Sequence, residues 1–121
     1  MKEELISFET AKLAKEKGFN EPCIECYTDI GELYQNNSEK IFFKNSQLLT
    51  KFYSAPTQSL LQKWLREVKD IWVLVNFAYD TNKLSAYIQN SNRIPLIDGF
   101  SMYDTYEEAL EEGLFEALKL I

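Results

Sequence analysis

Cys23 and Cys26 are the first residues in this 121-residue chain whose type and spacing suggest chemistry. A C-x-x-C pair can be a redox couple or half of a zinc knuckle. A thioredoxin-like site needs its first thiol at a helix N-terminus, where the dipole lowers the pKa, whereas the neighbours Ile24, Glu25 and Tyr27 are strand-like residues. Positions three apart on a strand point to opposite faces, which disfavours a local disulfide. The simplest expectation is two buried or half-buried structural thiols. A metal site shared between two subunits and redox chemistry stand as alternatives.

Histidine is absent, and with it the usual general base near neutral pH and the commonest metal ligand. Zinc sites that use histidine are excluded, and four thiolates would require cysteines pooled from two chains. No P-loop, G-x-G-x-x-G, G-x-S-x-G or EF-hand pattern is present, and four glycines leave little material for a phosphate cradle. No nucleophile–base pair, metal set or cofactor motif can be assembled, so the expectation is a protein that is not an enzyme and carries no cofactor. Carboxylates facing each other across a cleft, as in glycosidases, are the enzymatic route left open.

Carboxylates are plentiful, with 19 Asp and Glu against 13 Lys and Arg for a net charge of −6. Glu107, Glu108, Glu111, Glu112 and Glu116 crowd the final segment, opposed there by Lys119. Like charges at i,i+4, such as Glu107 with Glu111, each cost about a few tenths of a kcal/mol on a helix, and the first-turn acids recover part of this from the dipole. A solvated face is the plain reading. Docking onto a basic partner and mimicry of DNA are the functional ones. On a helical wheel Phe115 lies opposite the apolar stripe, flanked by Glu108 and Glu111. That aromatic among carboxylates is expected to anchor an interface, with Glu108, Glu111 and Glu112 around it. Of opposite sign, Lys63, Arg66 and Lys69 recur at i, i+3, i+6 and with Lys12 and Lys15 could form a basic ridge. The acidic balance argues against nucleic acid or an anionic membrane as the main partner.

The elements that must position these residues read as one α+β domain over residues 1–121, about three helices packed on a small antiparallel sheet. No linker or repeat divides the chain. A first helix spans Ser7 to Lys17, with Ser7 as N-cap and Gly18 as its stop. Cys23–Tyr27 and Glu32–Tyr34 form a hairpin around a tight turn, and Gln35–Lys40 is a loop. Ile41–Phe43 and Leu48–Tyr53 fit strand, short helix or packed loop alike. Leu60, Leu61, Trp64, Leu65 and Val68 line a second helix, with Pro56 in its first turn and Ser54 or Thr57 as N-cap. Ile71–Ala78 is nearly continuous in apolar residues, which predicts a central strand covered on both faces. Tyr79–Lys83 is a turn, and Leu84–Gln89 alternates as its hairpin partner. Thr105 and Glu108 make a capping box for a last helix, whose stripe is Tyr106, Ala109, Leu110, Gly113, Leu114, Ala117, Leu118 and Ile121. Gly113 costs about 1 kcal/mol of helix propensity against alanine, which predicts tight packing there.

The runs Ser7–Ala14 through Glu21-Pro22-Cys23, Ala55–Glu67, and Asp104–Glu111 to Leu118–Ile121 resemble a family of short proteins encoded by Bacteroidetes phages and integrated elements. The resemblance implies a mobile-element accessory protein and assigns no activity. The charged amino terminus lacks the pattern of a secretory signal, and apolar runs such as Ile71–Val75 fall far short of the ~20 residues of a membrane span. A cytoplasmic protein without membrane contact is expected. It would act through protein–protein contact, as a homodimer or higher homo-oligomer or with an unidentified protein partner; a nucleic-acid-associated role is the alternative.

Overall fold

The computed structural model describes residues 3–35, 42–78, 80–97 and 101–121. The loop expected at Gln35–Lys40, apart from Gln35 itself, lies outside the described residues, as do Ile41 and Tyr79. The fold is α+β, with three helices and two antiparallel three-stranded sheets among the described residues, where one sheet was expected. The chain divides into two compact units, residues 1–57 and 58–121.

In the first unit, helix α1 (Phe8–Glu16) starts as its sequence directs: the Ser7 hydroxyl accepts from the Thr10 N–H at 3.2 Å. Gly18, at φ +97°, supplies the left-handed turn that ends it, and Phe19 folds back with its N–H on the Ala14 carbonyl. Strands β1 (Glu25–Tyr27) and β2 (Leu33–Gln35) form the expected hairpin, and β3 (Tyr53–Ser54) pairs with the other edge of β1, giving the order β2-β1-β3. The segment left open between β2 and β3 holds an isolated bridge from Phe43 to Cys23 and a single 3-10 turn at Asn45–Gln47. Phe8 of α1 meets Tyr27 and Tyr53 edge to face, at centroid separations of 5.7 and 5.9 Å.

The second unit begins with α2 (Gln58–Lys69), so Pro56 precedes the helix and does not sit in its first turn. Leu61, Trp64 and Leu65 are buried, while Val68, expected in the same stripe, is exposed. Strands β4 (Trp72–Ala78), β5 (Lys83–Gln89) and β6 (Pro95–Ile97) form a sheet in the order β4-β5-β6. The expected central strand β4 is therefore an edge, and β5 takes the centre. Helix α3 (Tyr106–Leu118) packs on β4 and β5, and α2 packs against α3 and β4. Its buried stripe is Ala109, Leu110, Gly113, Leu114, Ala117 and Leu118, with Tyr106 outside it and exposed. At the N-terminus the Thr105 hydroxyl accepts from the Glu108 N–H, and the Glu108 carboxylate binds that same hydroxyl, not the Thr105 N–H expected of it.

Gly113 shows why the helix tolerates a glycine. A Cβ there would stand 2.6 Å from Val73 Cγ1 and 2.7 Å from Ala86 Cβ, well inside van der Waals contact. Gly113→Ala is expected to destabilise the second unit by about 1–3 kcal/mol through overpacking, outweighing the ~1 kcal/mol gained in helix propensity. Chemical denaturation checks this, and Val73→Ala placed on top of it should recover part of the loss.

Candidate functional site

The two cysteines are brought together by different means. Cys23 exchanges both backbone hydrogen bonds with Phe43, each 2.9 Å long, outside any regular strand. Cys26 sits in β1 opposite both Tyr34 of β2 and Ser54 of β3. Strict alternation would set the two thiols on opposite faces, but a bend at Ile24 breaks it. Both cysteines line one cavity of about 270 Å³, walled further by Ile24, Glu25, Tyr34, Phe43, Leu48, Phe52 and Ser54. Both are unpaired, and both thiols are buried, as expected.

Burial pushes the Cys23 thiol up to about 12, with Glu21 and Glu25 adding to the shift by their charge. The Ser54 hydroxyl lies against this thiol and tempers the rise. Burial also raises Cys26. A thiol held protonated is a poor nucleophile and a poor metal ligand. Two wall residues carry a side-chain oxygen that is buried and has no hydrogen-bond partner, Ser54 Oγ and Glu25 Oε2. Ser54 itself is held rigidly: its N–H donates to Asn45 Oδ1 at 2.8 Å, and Asn45 Nδ2 donates to the Phe19 carbonyl at 2.8 Å. Ser54, expected as a candidate N-cap of the second helix, lies in β3 instead, and nothing in the residue types around it or Asn45 pointed to this arrangement.

The acidic helix face is largely occupied at home. Glu111 Oε1 accepts from Gln58 Nε2 at 3.1 Å. Glu112 accepts from the Ser101 N–H at 2.9 Å and the Tyr103 hydroxyl at 2.7 Å, and that second bond is the main reason the Tyr103 phenol is raised. Glu108 serves the helix cap. Phe115, expected as an exposed anchor, is half-buried, and Lys119 Nζ stands 4.7 Å from its ring centroid.

The basic ridge divides between the units. Lys12 lies over the Phe8 ring and near Glu9. Lys15 Nζ donates to three carbonyls, those of Leu49, Thr50 and Phe52, at 3.0, 3.3 and 2.7 Å, and its partial burial lowers its pKa. On α2, Lys63 is exposed, Arg66 covers the Trp72 ring at 5.4 Å and Lys69 covers that of Trp64 at 5.7 Å. Lys15, a candidate member of the basic ridge, thus caps a loop.

No family model, curated protein or solved structure matches the chain. Among the described residues no helix is long and apolar enough to cross a membrane, and no group of three or more Cys, Asp or Glu is arranged to hold a metal ion.

The surface that stands out lies on the second sheet. Val73, Ala86 and Ile88 are buried on the side that carries α3, as the Gly113 contacts show. Leu74 and Tyr87 are in register on the other side, in phase with Trp72. Tyr87 is 39% exposed, Leu96 of β6 40%, and Ile94 before it 55%. The sequence signal was present in the continuous apolar run of β4, which does not fit a strand with a polar outer face.

Two outcomes follow from the thiol and the lysine. Cys23 ionises at 9.0 ordinarily and at about 12 when folded. Below the lower value both states keep the proton. Above it the unfolded chain loses the proton first, so stability falls as pH rises from 9.0 towards 12. Cys23→Ala should flatten that part of a pH–stability curve measured by urea denaturation. Separately, Lys15→Met is expected to cost about 1–2 kcal/mol by stripping three carbonyls of their donor, read as a lowered melting temperature.

Proposed function

We propose that this protein acts by contact with another protein chain and not by catalysis, and that the outer face of the β4-β5-β6 sheet is the contact surface, packed against the same face of a second copy. The observation that carries this reading is an apolar patch on that face, Trp72, Leu74 and Tyr87, set between polar Gln89 and the Asn76–Ser85 pair, with Leu96 of the adjoining β6 also exposed. Contiguous exposed apolar surface commonly marks a protein contact. Two sheets can stack face to face about their apolar sides, and a two-fold arrangement is the commonest closed form of self-association. The non-catalytic part is supported by the lack of histidine and by the protonated state of the buried Cys23.

This moves the expected interface from Phe115 to the sheet. The nucleic-acid alternative gains no support from the arrangement, because Lys15, Arg66 and Lys69 are engaged with carbonyls or indole rings. A cytoplasmic setting belongs to the same proposal, since two unpaired cysteines suit a reducing compartment. The resemblance to short phage-encoded proteins supports an accessory role in a mobile element.

Sedimentation velocity tests the self-association. The wild-type chain should sediment as a dimer at micromolar concentration, and Tyr87→Glu as a monomer with an unchanged circular dichroism spectrum. Wild-type protein that stays monomeric at the highest soluble concentration would end this reading.

A further inference from the structure

The cavity around the two cysteines lies in the first unit and is separate from the proposed contact face. Its size is that of a small molecule: about 270 Å³, against the roughly 150 Å³ of an apolar cavity that takes up benzene. By proportion it holds a compound of about ten non-hydrogen atoms. Phe43, Phe52, Leu48 and Tyr34 give it aromatic and aliphatic walls, which favour a planar ring.

Two side-chain oxygens in those walls are buried without a hydrogen-bond partner, Glu25 Oε2 and Ser54 Oγ. Ser54 is 1% exposed, and its Oγ has only the weakly accepting Cys23 thiol beside it and no full hydrogen bond. Register places Ser54 directly opposite Cys26, which is itself opposite Tyr34, and all three line the cavity. A buried hydroxyl left unsatisfied is costly, and such groups in native proteins are usually met by water or a ligand. Because a serine hydroxyl both donates and accepts, its best match is another hydroxyl.

We propose that this cavity is a binding site for a small uncharged aromatic molecule bearing one hydroxyl, its ring packed among Phe43, Phe52 and Leu48 and its hydroxyl on Ser54 Oγ. An anionic ligand is disfavoured because desolvation penalises an ion among apolar walls and the Glu25 carboxylate stands in the same lining. The raised Cys23 thiol reports the same bias against charge.

The test uses the full chain and three probes of one shape: para-cresol, toluene and para-toluate. Followed by amide NMR, para-cresol should shift resonances at Cys23, Cys26, Phe43, Leu48, Phe52 and Ser54. It should bind about tenfold more tightly than toluene, the difference one well-placed hydrogen bond makes, and para-toluate should not bind. Ser54→Ala should remove the preference of para-cresol over toluene while melting no lower than wild type, because it deletes an unpartnered hydroxyl. Leu48→Trp, which fills the space, should abolish binding of both. If none of the probes binds, the cavity takes water only and the proposal falls. It also falls if toluene equals para-cresol in the wild-type chain, if para-toluate binds best, or if the shifted resonances lie away from these residues.

Discussion

The second unit depends on how closely a helix can approach a sheet. Helix α3 lies on β4 and β5 with its backbone against Val73 and Ala86, a contact that only a residue without a Cβ permits at position 113. Ala109 and Ala117 continue the small-residue line one turn to either side. Much else follows from that seat. Leu110, Leu114 and Leu118 reach the core beside it, α2 finds its place against both α3 and β4, and Gln58 ties the start of α2 to the Glu107 carbonyl at 2.9 Å. Because α3 takes one side of the sheet, Leu74 and Tyr87 fall on the side that it does not cover. The candidate contact face is the remainder of that choice.

The first unit is held by polar ties to a greater degree. A single lysine spans from α1 to the loop before β3, and a single asparagine joins the end of α1 to β3. Between them these contacts fix Phe52 and Ser54, which are cavity wall. The thiols are passive here. Their burial makes them part of the lining, and the groups with unspent hydrogen-bonding capacity are the Ser54 hydroxyl and one oxygen of Glu25.

What could be read beforehand followed local signals. Ser7, Gly18, Thr105 and Gly113 each act through their own backbone neighbourhood, and each does what its type implies. The hairpins at β1-β2 and β4-β5 were legible for the same reason. Strand β6 was not, because Pro95-Leu96-Ile97 is short, lacks alternation and contains a proline. The place of β4 at an edge was hidden because a continuous apolar run looks alike whether a second layer or a partner covers it. The half-burial of Phe115 under Lys119 was not legible on the helical wheel, which reports direction on a cylinder and not what stands nearby. The cavity had no local signal at all: Cys26, Tyr34, Phe43 and Ser54 meet only through two strand pairings and an isolated bridge.

The margins of the second sheet bear on how far any assembly could grow. An unprotected strand margin invites further strands to add indefinitely, the route to fibres. On β4, the side chain of Gln62 occupies the Val73 carbonyl at 2.7 Å. On the opposite margin, Pro95 removes a donor from β6, and a register shift at Ile88/Gln89 disturbs the ladder that a newcomer would extend. Lateral polymerisation is thereby obstructed on both sides, leaving stacking as the open direction, and stacking of two faces is self-limiting.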